Sequence, residues 1–166
     1  MKINNLNDLI KHSIVDIYSA EKQVADTLPK LIDASSNVDL RNAFTTHLSQ
    51  TRAQIKRLEE SAELLGVGMG ETTCKGMEGI LSEGKELVDQ IPEGIVRDHA
   101  IVASALKVAH YEMASYLFLI SHLEALEEDD VVSLLHESLM EEEEASNTLV
   151  SVHDSVMNQE DLREEL

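Results

Sequence analysis

The sequence predicts an all-α fold, an antiparallel four-helix bundle with a short additional helix between the second and third long helices. Apolar residues recur in steps of three and four along four long stretches, the spacing of one helix face. Aromatic residues make up only 3% of the chain and Trp is absent, whereas strands favour aromatic and β-branched residues. Two prolines and seven glycines interrupt the 166 residues, and breaker clusters separate long uninterrupted runs.

Asn5 or Asn7 can cap the first helix, with Asp8 favourable in its opening turn. This helix reaches about Ala34, and its inward stripe reads Ile10, Ile14, Ile17, Glu21, Val24, Leu28. Pro29 predicts a kink or local defect near its end. After the breaker residues Ser35, Ser36 and Asn37, a second helix runs from about Val38 or Asp39 to Leu65. Its stripe is Leu40, Phe44, His47, Thr51, Gln54, Leu58, and the glycines of residues 66–70 stop it.

Thr72 or Thr73 is expected to cap the short helix, roughly Cys74 to Gln90, whose Met77, Leu81 and Leu87 or Val88 cover one side of the bundle. Gly76, Gly79 and Gly84 weaken it, so docking must hold it. The break at residues 91–94 precedes the third long helix, from about Ile95 to Leu126, with the stripe Ile101, Ala105, Val108, Glu112, Ser115, Leu119. An acidic turn, Glu127 to Asp130, leads into the fourth, from about Asp129 to beyond Val156, with the stripe Val131, Leu135, Ser138, Glu142, Ala145, Leu149. The length fits one domain spanning residues 1–166, with an acidic tail from about residue 158 that is expected to fray.

The formal charge of −19 argues against nucleic acid and anionic membranes as partners, because both reward Lys and Arg. It suits solubility and the attraction of metal cations. No apolar run approaches the length of a membrane span. A single cysteine, Cys74, excludes an intramolecular disulfide, and no leader pattern opens the sequence, so a reducing cytoplasm is the expected compartment.

Each of the four stripes is polar in its middle. Glu21, Glu112 and Glu142 stand where apolar residues belong, and three core carboxylates each cost several kcal/mol unless protonated, paired or metal-bound. Glu21 lies roughly fifteen residues before the first turn and Gln50 or Thr51 roughly fifteen after it, so at about 1.5 Å per residue both stand about 22 Å from it. Glu112 and Glu142 flank the second turn at a similar depth. The two hairpins are therefore expected to meet around one oxygen-rich site, which suits iron or manganese. The expected ligands are Glu21, Glu112 and Glu142, with His47, Gln50 or Gln54 completing the shell.

Without metal, Lys22, Arg52 and Lys107 flank the carboxylates and can snorkel toward them. His110 faces nearly the other way from Glu112, Glu141 reads as solvated helix surface, and Cys74 has no evident base partner.

The stretches Asp16-Ile-Tyr-Ser-Ala-Glu-Lys-Gln23, Leu28-Pro-Lys30, His47-Leu48, Arg57-Leu-Glu59, Cys74-Lys-Gly-Met-Glu-Gly-Ile80, Val96-Arg-Asp98, Lys107-Val108, His110-Tyr-Glu-Met-Ala-Ser-Tyr116, Leu134-Leu135 and Glu141-Glu142 resemble the YciF-like stress-protein family. They run in order over nearly the whole chain. The resemblance implies a ferritin-like fold, a homodimer, a link to general stress response and a site similar to those of rubrerythrin and bacterioferritin. The family pattern has glutamate at the position of Gln50 and often at that of Ala109, lysine near Glu143 and aspartate near Ser146. A carboxamide at Gln50 removes one charge and one strong bridging group. One metal, a weakened pair and no metal all remain open.

Two functions are expected to compete. The first is a ferritin-like stress protein with a di-metal-type iron or manganese site; if it is an enzyme, it is ferroxidase-like or handles peroxide. The second is a metal-free helical protein that acts by self-association or partner binding.

Overall fold

The computed structural model describes residues 3–70 and 72–157; the expected fraying tail lies outside them. Five helices form in order: α1 (Leu6–Ala34), α2 (Val38–Leu64), α3 (Lys75–Gln90), α4 (Ile95–Glu124) and α5 (Asp129–Met157). The fold is the helical, ferritin-like bundle that the periodicity and the resemblance predict. Around the core α1 packs on α2, α2 on α5, α5 on α4 and α4 on α1, while α3 lies against α4 and α1.

The ends are set by local chemistry. Asn5 caps α1 by accepting from the Asp8 N–H at 2.9 Å, and Asn37 caps α2 by accepting from Asp39 and Leu40. At the end of α2, Gly66 takes a positive φ of 62° and Val67 N–H returns to the Ala62 carbonyl at 2.8 Å, which satisfies a terminal acceptor. The cap of α3 is Cys74, not Thr72 or Thr73: its Sγ receives the Met77 N–H. Sulfur is a weak acceptor, so sequence rules for capping pass over it.

One buried carboxylate fixes the relative direction of the two hairpins. Asp98, in the first turn of α4, accepts from the N–H groups of Ser36 and Asn37 at 2.8 and 2.9 Å. The start of α4 therefore sits at the end where α1 finishes, and α4 runs antiparallel to α1. A long connection containing α3 makes this possible. The Tyr18 hydroxyl donates to Glu59 at 2.9 Å, and His47 and Gln54 both reach Glu142, so the middle of α2, which holds Gln50 and Thr51, is level with the site as counting from the turn suggests.

Hydrophobic burial closes the bundle above and below its middle. Ile10, Ile14, Ile17, Phe44, Leu40, Ile101, Leu123 and Leu135 are buried with Tyr116 and Leu119. Fully burying an aliphatic side chain contributes about 1.5–3 kcal/mol; apart from Tyr116 and Leu123, which the expected stripe of α4 does not include, these residues are apolar members of the four stripes. The polar members meet between them.

Candidate metal centre

Three glutamates from three helices are fully buried: Glu21 on α1, Glu112 on α4 and Glu142 on α5. On α2, Thr51 and Gln54 are equally buried and His47 nearly so. Each occupies the inward register of its stripe, so the backbone periodicity that buries the aliphatic neighbours also delivers these polar groups to the core.

His47, Glu112 and Glu142 offer ligand atoms that all lie within 4.8 Å of one another. His47 Nε2 stands 3.2 Å from Glu142 Oε1, and Gln54 Nε2 donates to the same oxygen at 2.8 Å. The Tyr116 hydroxyl donates to Glu21 Oε1 at 2.6 Å. Gln50 does not join this cluster; it is half-buried and lines a groove between α2 and α5.

Burial, reinforced by the nearby carboxylate of Glu142, pushes Glu21 well above the ordinary carboxylate range. Glu112 is pushed the same way, by burial first and then by Glu21 and Glu142. Like charges this close cannot all ionise without a counter-charge. Protons or cations must supply it.

Among the described residues, cationic side chains do so only at one edge. Lys22 is exposed and lies over the Tyr18 ring, Lys107 pairs with Glu83 at the surface, and Arg52 is exposed. The cation that comes inward is Arg57, whose buried guanidinium donates to Ser138 Oγ at 3.0 Å and to Glu137 at 2.9 Å and also pairs with Glu141. Glu141 is accordingly not plain solvated surface: its Oε2 also accepts from Gln54 Nε2 at 3.0 Å. A chain of contacts thus runs from Arg57 through Glu141 and Gln54 to Glu142.

Sequence reasoning about the site missed Tyr116, Arg57 and Glu141. Two of them carried a spacing signal, since Tyr116 follows Glu112 by four residues and Arg57 follows Gln54 by three.

Five buried oxygens at the centre have no hydrogen-bond partner among the described residues: Glu21 Oε2, Gln54 Oε1, Glu112 Oε1 and Oε2, and Glu142 Oε2. Each such acceptor costs roughly 1–3 kcal/mol if nothing satisfies it. With the carboxyls ionised all five are acceptors, and they come from all four long helices. The donor set of carboxylates, one carboxamide oxygen and one imidazole fits a cation of the iron or manganese type.

The family model for the domain of unknown function DUF892 matches residues 5–161. The chain belongs to this family. It is 38% identical over 143 residues to protein YciF of Escherichia coli strain K12, covering 86% of each chain. The crystal structure of that E. coli stress protein superposes with a TM-score of 0.90 at 36% identity, covering 95% of this chain and 100% of the other. YcfI from Rhodopseudomonas palustris matches with a TM-score of 0.86 at 39% identity, over 89% of this chain and 94% of that one. A protein from Xanthomonas campestris shares the fold, with a TM-score of 0.74 at 20% identity over 96% of this chain and 99% of that one.

Proposed function

We propose that this YciF-like protein binds iron or manganese at the bundle centre, through Glu21, Glu112 and Glu142 with His47 and Gln54 completing the shell, and serves a stress response there. The observation that carries this reading is the set of five unpartnered buried oxygens drawn from four helices. A purely structural polar band would pair its acceptors with donors. This one leaves them facing a low-dielectric interior, where a cation gains most.

A bound iron or manganese ion would supply redox chemistry toward oxygen or peroxide. The residues of this chain do the rest. Tyr116 holds one oxygen of Glu21 by a hydrogen bond. Gln54 and His47 hold one oxygen of Glu142 and leave the other free. Glu112 lies against Glu142, and with its oxygens otherwise unpartnered it would help to hold the ion. Gln50, on the groove wall, serves the approach to this shell.

A second reading has one observation of its own. His47, Gln54 and Tyr116 already satisfy part of Glu142 and Glu21, so with Glu21 and Glu112 protonated the band holds together as a metal-free network. Metal analysis of protein purified without chelator separates the two: near-stoichiometric iron or manganese supports the centre. Neither metal bound after anaerobic addition of Fe(II) or Mn(II) supports the network.

Homodimerisation in the cytoplasm belongs to the same proposal and rests on the family resemblance; sedimentation showing a monomer at high micromolar concentration would overturn the dimer.

A further inference from the structure

We infer that metal ions reach the centre through the groove between α2 and α5, with His47 as its inner door. This inference rests on the metal-binding reading above. The groove has a volume of about 320 Å³, and its walls carry Asp39, Thr46 and Gln50 from α2 and Glu144 and Thr148 from α5. All five offer oxygen, and among the described residues neither Lys nor Arg lines it. His47 is only 5% exposed, yet it borders this groove while its Nε2 contacts Glu142 Oε1. A side chain that touches both the groove and an inner carboxylate is the partition between them.

The opposite approach to His47 has the wrong chemistry. The small cavity on that side is lined mainly by Val24, Leu28, Leu31, Leu81, Ala105 and Val108; the outer groove leading to it carries Lys30 and Lys85 beside Asp26, Glu78 and Asp89, so it is the apolar inner stretch that bars the way. A hydrated dication crossing it would shed water and receive almost no oxygen in return. Between α2 and α5 it can exchange waters for protein oxygens, and the carboxylates of Asp39 and Glu144 raise its local concentration.

Stopped-flow uptake of Co(II), followed by the visible absorption of the bound ion, tests the route. Glu144 and Asp26 are both exposed and line opposite grooves, so Glu144→Lys and Asp26→Lys change net charge equally on the two sides. The expected result is that Glu144→Lys slows uptake roughly five-fold at low salt and flattens its salt dependence, with the end-point unchanged. Asp26→Lys leaves the rate unchanged. Thr148→Trp, which adds bulk to the same wall, also slows uptake without altering the final Co(II) content. Equal effects of the two charge reversals, or no effect of either, would overturn the route and leave the centre standing. Wild-type protein that takes up no Co(II), Fe(II) or Mn(II) would overturn the centre and the route together.

Discussion

Gln54 Nε2 donates to Glu142 Oε1 at 2.8 Å and to Glu141 Oε2 at 3.0 Å. Two carboxylates fix the sense of the amide, and its own oxygen is left buried without a partner. Gln54→Glu places a fourth acid at the centre. Metal-free protein should then lose about 1–3 kcal/mol in denaturant melts, while affinity for Mn(II) in calorimetric titration rises roughly ten-fold. Gln50→Glu, on the half-buried groove wall, should change metal-free stability by no more than about 0.5 kcal/mol.

Tyr116 and Glu21 form a fully buried pair across α4 and α1. Tyr116→Phe keeps the ring and deletes the donor, which leaves a second oxygen of Glu21 unpartnered. The expected loss is about 1–3 kcal/mol, read from urea unfolding. Because the phenol hydrogen bond lowers the pKa of Glu21, the variant should also hold its proton to higher pH and bind metal more weakly at neutral pH.

Stability should fall with pH in the metal-free form and lose that dependence when metal is bound. Burial raises Glu21 and Glu112 well above their ordinary 4.5, so between that value and the raised one the folded chain holds protons that the unfolded chain has released. The stability they contribute is fully present below about 4.5 and falls as pH rises through the raised values, by about 1.4 kcal/mol per pH unit for each group. Metal-free protein should therefore melt lower as pH rises from about 5 to 8. With saturating Mn(II) the dependence from these two groups should largely vanish over this range, since ligands must be deprotonated and the unfolded chain has already released the same protons. In Glu112→Gln the metal-free slope should become shallower, and melts across this pH range check all three statements.

Two glycines of α3 should respond oppositely to alanine. A Cβ at Gly76 would stand 2.7 Å from the Tyr111 ring, whereas one at Gly79 would meet nothing within 4 Å. Gly76→Ala should cost about 1–3 kcal/mol by forcing α3 away from α4. Gly79→Ala should stabilise by about 0.5–1 kcal/mol, because an open helical site gains only the lower entropy cost. Thermal melts of the two single variants read both signs.

Helix boundaries and the three buried glutamates were legible because a period near 3.6 turns each polar interruption of an apolar stripe into a visible anomaly. Gln54 was legible as a stripe member, but its rank over Gln50 was not. Counting from the turn gives depth but not facing: His47 and Gln54 reach Glu142 from either side of that depth, Thr51 within it is fully buried, and Gln50 turns to the groove wall.

Arg57 was hidden for another reason. A long cation beside a stripe looks like a surface residue, and only the packing of α2 on α5 shows that its head turns inward to Ser138. The role of Gly76 was equally invisible, because a close approach between α3 and Tyr111 is a property of tertiary docking and not of local propensity. Sequence spacing likewise gives no hint that Cys74 meets the Tyr111 hydroxyl at 3.0 Å.

Anaerobic calorimetric titration of metal-free protein with Mn(II), repeated on Glu112→Gln, tests the central claim most directly. Glu112 has both oxygens unpartnered at the heart of the site, and the amide replacement keeps its size while removing the charge. Saturable binding of one or two ions by the wild type, accompanied by proton release and abolished or weakened at least roughly ten-fold in the variant, is the predicted result. Absence of saturable binding in the wild type, or identical isotherms for the two proteins, would contradict it.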